Sequence, residues 1–149
     1  EVHAGSVDYQ TFGANDAPET IMLLHATATG AWRLVPLAAR LSETYRAFVP
    51  NLDGYGMSKL DCARCPDTSK TVERFLQALE IEIFHLIGHS MGGLIALRAT
   101  RRGRFDLQSL TLIEPMAFWC ARSRHRQSRH RLRPEHDQRF FIRNRGRVA

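Results

Sequence analysis

Short, nearly unbroken apolar runs alternate along this chain with stretches in which apolar residues recur every three or four positions. Thr20-Ile21-Met22-Leu23-Leu24-His25 and Ile83-Phe84-His85-Leu86-Ile87-Gly88 are of the first kind, while Tyr45 to Pro50 and Gln108 to Ile113 read as further short strands. Runs of this length with little polar alternation predict strands covered on both faces. Leu34, Leu37, Ala38 and Leu41 place one apolar face on a helix of roughly Ala31 to Thr44. Val72, Phe75, Leu76 and Leu79 repeat that spacing, and Met91 to Arg101 has helix-forming composition. At the start, Val7 to Phe12 alternates loosely before the turn chemistry of Gly13 to Pro18, which predicts an antiparallel hairpin leading into the first buried strand. Asn51 to Ser69, rich in Gly, Asp, Ser, Cys and Pro, reads as a long surface loop able to carry function. Buried strands separated by amphipathic helices predict an α/β three-layer sandwich with a mostly parallel sheet and right-handed crossovers.

Composition divides the chain. Its 149 residues suffice for one core and not for two ordinary domains. Residues 1–119 carry 11 Lys and Arg against 13 Asp and Glu, net −2, whereas residues 120–149 carry ten Arg against two acids, net +8. The periodicity also stops beyond Trp119, so 1–119 is expected to fold as the domain and 120–149 to be an irregular basic tail. No run approaches eighteen uninterrupted apolar residues, and Glu1 to Tyr9 lacks the basic and apolar regions of a secretory signal. The expectation is a soluble cytoplasmic protein with no membrane partner. Cys62 and Cys65 have a two-residue spacing that serves metal or redox sites, but no second ligand pair accompanies them. They and Cys120 are read as cysteines without a special role, and no metal or cofactor is expected.

The chemistry-bearing motif is Gly88-His89-Ser90-Met91-Gly92-Gly93, where a predicted strand meets a predicted helix. A serine on such a turn needs a strained backbone and small neighbours two residues to either side, and Gly88 and Gly92 meet that need. The helix N-terminus adds free amides and a positive dipole end, which place the Met91 N–H to stabilise an oxyanion. The plainer alternative is a glycine-rich turn with an incidental serine.

With two further motifs, Leu23-Leu24-His25-Ala26-Thr27-Ala28-Thr29-Gly30 and Val49-Pro50-Asn51-Leu52-Asp53-Gly54-Tyr55-Gly56-Met57-Ser58, the sequence resembles the α/β-hydrolase superfamily over about residues 2–119. The resemblance implies an incomplete α/β-hydrolase fold, with Ser90 as nucleophile in a nucleophile elbow and the Met91 and Thr27 amides as the oxyanion hole. Ala26 stands where most members have Gly, so the conformation of that loop depends on its φ. His25 is expected to bond the loop backbone rather than to catalyse, and His89 to serve packing or access. Glu114, at the carboxyl end of the last predicted strand, is a candidate for the triad acid; the alternative is that it shapes the pocket floor or anchors a cap. The histidines after Ser90 are His125, His130 and His136, all inside the Arg-rich stretch. The family's order of Ser, acid and His then implies that the chain is an amino-terminal part of a hydrolase of about twice the length. The change near Trp119 would follow from a frameshift or a truncated gene. The implied activity is esterase-like attack on a small-molecule ester or similar carbonyl through an acyl-enzyme, impaired by the missing histidine. A second reading makes the chain a noncatalytic fragment whose tail binds nucleic acid or other polyanions without selection. Oligomeric state is left open.

Overall fold

In a computed structural model, residues 6–58, 69–101 and 105–116 are described. The elements run β1 (Tyr9–Phe12), β2 (Glu19–Leu24), a 3-10 turn (Ala31–Leu34), α1 (Val35–Leu41), β3 (Tyr45–Pro50), α2 (Ser69–Ala78), β4 (Ile83–His89), α3 (Met91–Arg101) and β5 (Asp106–Ile113). One sheet of five strands has the order β1-β3-β2-β4-β5. All neighbours are parallel except β1 with β3. The mostly parallel sheet is therefore as the strand and helix alternation predicts.

Two local expectations need correction. β1 and β2 do not form a hairpin: Tyr9 lies opposite Pro50 and Phe12 opposite Ala47, so β1 pairs with β3. Both edges of β2 are already taken by parallel partners, β3 on one side and β4 on the other, so β1 cannot pair with β2 and lies on the outer edge of β3. The helix expected over Ala31 to Thr44 is shorter and begins as a 3-10 turn. Pro36 lies in the first turn of α1, where its missing N–H needs no intrahelical partner. A helix continuing back from it would place proline in the interior.

The apolar run of β2 is explained by its two covers. Met22 and Leu24 pack with Phe48, Phe84, Leu86 and the inner faces of α2 and α3. Ile21 and Leu23 pack with Ala47, Val49, Ile87 and the inner face of α1. Successive residues of a strand face opposite sides, so a central strand with helices on both faces has no solvent-facing set. β1 is mostly exposed and reads more polar.

The cysteine pair Cys62 and Cys65, Cys120, the basic tail 120–149 with His125, His130 and His136, and the change of character near Trp119 all lie outside the described residues. Among the described residues no helix is long and apolar enough to cross a membrane, and no group of three His, Cys, Asp or Glu could hold a metal ion.

Candidate active site

Ser90 occupies the single residue between β4 and α3. Its φ is 51°, a left-handed conformation that costs an L-residue about 1–2 kcal/mol. Three backbone bonds hold it there: Ser90 N–H donates to Ile113 O (2.9 Å), and Ser90 O accepts from Leu94 N–H (3.2 Å) and Met116 N–H (3.0 Å). A residue kept in a sparsely populated conformation by its surroundings marks a place where the fold sustains strain. The glycines are required by close approach. A Cβ on Gly88 would lie 2.6 Å from Gly92 O and from Gly93 Cα, and one on Gly92 would lie 2.7 Å from His25 O. The strand, the turn and the first helical turn are thus packed backbone against backbone beneath the serine.

The segment after β2 meets this turn from the side. Gly92 N–H donates to His25 O (3.1 Å), while Met91, the first residue of α3, has an amide without an intrahelical acceptor. His25 is fully buried, and both ring nitrogens are engaged. Leu52 N–H donates to Nε2 (3.0 Å), so Nε2 accepts, and Nδ1 carries the proton donated to Ala26 O (2.9 Å). Burial holds its pKa below the ordinary 6.5, with the bond to Ala26 O opposing that shift. This is a neutral histidine that ties three backbone segments together. The left-handed backbone falls at Ala28, φ 59°, and not at Ala26, so the alanine in the place of the usual glycine is accommodated without strain. Thr27 is exposed at the tip, and its hydroxyl reaches Met116 Sδ at 3.9 Å.

Sequence reasoning named the 51–58 loop by resemblance and assigned its residues no work. Asn51 accepts from Ala31 N–H (2.9 Å) and donates to Asp8 Oδ2 (2.8 Å). Ser58, buried, donates to Asn51 O (2.8 Å) and accepts from Asp8 N–H (2.9 Å). Met57 N–H also donates to Asp8 Oδ2 (3.2 Å). Asn51 and Ser58 stand inside the quoted motif and were open to such a reading. Asp8 carried no signal, because its partners lie more than forty residues away and only the β1 to β3 pairing brings them together.

Glu114 follows directly on Ile113, whose carbonyl receives the Ser90 amide, and has φ 42°. The turn therefore lies beside Ser90, but the side chain is exposed. Among the described residues it has no hydrogen-bond or ion-pair partner. The structure thus gathers Ser90, Met91, Thr27 and Met116 at the carboxyl edge of the sheet, where ligands gather in α/β folds, with the Glu114 backbone adjoining. Among the described residues no histidine follows Ser90 in the chain.

A mostly parallel sheet with helices on both faces and a strained serine between a central strand and its helix define an α/β protein of the hydrolase type. The chain belongs to the alpha/beta hydrolase family, whose model matches residues 21–148. It is similar to N-formylmaleamate deformylase of Pseudomonas putida, 34% identical over 82 residues that cover 53% of this chain and 31% of the relative. The 2-hydroxy-6-oxononadienedioate/2-hydroxy-6-oxononatrienedioate hydrolase of Paraburkholderia xenovorans is 34% identical over 101 residues, covering 60% of this chain and 33% of that protein. Among solved structures, an esterase from Exiguobacterium antarcticum aligns with a TM-score of 0.67 and 25% identity, over 78% of this chain and 44% of the esterase. The chain spans about a third of the length of the two curated relatives.

Proposed function

We propose that the protein is a serine hydrolase acting on a small-molecule ester or similar carbonyl, with Ser90 as nucleophile and the Met91 and Thr27 amides as oxyanion donors. The observation that carries this reading is the left-handed Ser90 at the junction of β4 and α3, beside Met91, the first residue of α3, whose amide has no intrahelical acceptor. Ser90 Oγ attacks the carbonyl carbon and loses its proton to a base. The carbonyl oxygen takes up the negative charge against the two N–H groups, and collapse expels the alkoxide, which leaves with a proton. Water then cleaves the acyl-serine ester. Glu114 is the candidate acid through its place after β5, with pocket lining as the other role open to it.

The base is neither His25, whose nitrogens are both bonded, nor His85, whose ring bonds Ser109 Oγ and faces Glu19. His125, His130 and His136 stand among arginines, and the reading assigns none of them the role. Reaction with activated acyl or phosphonyl reagents is therefore expected without efficient turnover. Oxyanion donors and binding alone leave on the order of 10³-fold over water. The test is labelling by a fluorophosphonate followed by peptide mass spectrometry, with p-nitrophenyl acetate hydrolysis beside it. Modification confined to Ser90 and lost in Ser90→Ala supports the reading; equal labelling and equal ester rates in the two proteins overturn it.

A further inference from the structure

Tyr55 lies in the loop after β3, far in sequence from both Ser90 and the segment after β2, yet its side chain reaches that segment twice. Its hydroxyl accepts the Ala28 N–H at 3.0 Å. Its ring meets the His25 imidazole edge-on, with centroids 4.7 Å apart and planes at 73°. The residue is itself fixed at both ends of its turn: Tyr55 N–H donates to Leu52 O (2.9 Å), and Leu52 N–H donates to His25 Nε2 (3.0 Å). A closed circuit results, running from His25 through Leu52 and Tyr55 to Ala28 and back along the chain through Thr27. His25 O in turn holds Gly92 at the start of α3.

Ala28 is where this circuit is needed. With φ 59° and a Cβ, it has a conformational reason to leave the left-handed region, and doing so would turn the Thr27–Ala28 peptide and with it the backbone of Thr27. The Tyr55 hydroxyl bonds the Ala28 amide only while that peptide keeps its present orientation. We propose that Tyr55 is a positioning residue for the oxyanion loop: its hydroxyl holds Ala28 left-handed and so keeps the Thr27 amide aimed at the site beside Ser90. This rests on the serine-hydrolase reading. It adds that the loop's geometry is maintained by a side chain from another segment rather than by a glycine within it.

The test uses the whole chain and a fluorophosphonate, separating the maximal labelling rate of Ser90 from the reagent concentration that gives half of it. Tyr55→Phe keeps the ring against His25 and removes only the hydroxyl. A mispositioned oxyanion donor affects the transition state and not ground-state binding. The maximal rate should fall about tenfold with the half-saturating concentration unchanged, less than the 10²–10³ of losing a donor outright. Ala28→Gly makes the left-handed conformation free of strain, so the Tyr55→Phe/Ala28→Gly double variant should recover most of the lost rate. Amide hydrogen exchange at Ala28 should speed up in Tyr55→Phe and stay near its parent value at Leu52. If the parent labels at Ser90 and Tyr55→Phe labels equally fast, or Ala28→Gly rescues nothing, the positioning role is overturned and the serine reading stands. If the parent does not label at Ser90, the serine reading itself fails and takes this role with it.

Discussion

Gly92→Ala sets two physical effects against each other in the first turn of α3, and the structure decides their order. Helix propensity favours alanine over glycine by up to about 1 kcal/mol. Against it, the added Cβ would lie 2.6 Å from the Leu24 carbonyl carbon, 2.7 Å from His25 O and closer still to Leu24 O. All three are backbone atoms, so no side chain can rotate away, and heavy atoms pack comfortably only at about 3.5–4.0 Å. The end of β2 and the start of α3 must separate by most of an ångström, which costs about 1–3 kcal/mol in a packed region. The bond from Gly92 N–H to His25 O weakens with it, for a further loss of about 1 kcal/mol. The expected net effect is destabilisation of about 1–3 kcal/mol, the opposite sign from propensity. Urea unfolding followed by circular dichroism measures it. Gly54 supplies the contrast, since nothing lies within 4 Å of a Cβ there and its φ is +80°. Gly54→Ala should lose only the backbone term of about 1–2 kcal/mol, and Gly54→Asn should lose less than Gly54→Ala, because Asn tolerates the left-handed region. A Gly92→Ala protein as stable as the parent, or more so, would refute the close approach of β2 to α3.

Other outcomes follow from the same contacts. Asn51→Ala removes two hydrogen bonds, to Ala31 and to Asp8, and should lower stability by about 2 kcal/mol. Asn51→Asp should also be destabilised, since it sets a second carboxylate against Asp8, and urea midpoints of the two variants check both. Because His25 has a folded pKa below its ordinary 6.5, the unfolded chain binds its proton first as pH drops. The stability His25 contributes is complete above about 6.5 and declines as pH falls from there toward the lower folded value. The parent should therefore lose stability over that window relative to His25→Gln, and parallel pH profiles would contradict the neutral, buried assignment. The Arg40 to Glu43 pair is short at 2.8 Å but highly exposed on both sides, so Glu43→Gln should shift the unfolding free energy by less than about 0.5 kcal/mol.

Local features that carry their own cause were readable from the residues. Apolar runs at Ile21 to Leu24 and Ile83 to Ile87 predict strands buried on two faces, and the clusters on either side of the sheet are that prediction in space for Ile21 to Leu24, Phe84, Leu86 and Ile87, whereas Ile83 is exposed. The glycines around Ser90 predict a turn too tight for side chains, and the contacts at Gly88 and Gly92 are of that kind. His25 was expected to bond the loop backbone, and it does so through both nitrogens. The misplaced hairpin and the overlong first helix mark the limit. Alternation around a turn says that a strand is present and not which neighbour has a free edge, and apolar spacing does not register where a proline restarts a helix.

By itself the sequence determined the alternation of strand and helix, the two-sided burial of the central strands and the turn that carries Ser90, because each depends on residues within a few positions of one another. Only the tertiary structure decided that Asp8 braces the 51–58 loop, that the left-handed alanine is Ala28 and not Ala26, and that Tyr55 reaches its amide. These depend on chain segments separated by tens of residues, which the order of strands in the sheet brings to one edge. Spacing along the chain carries no measure of that distance.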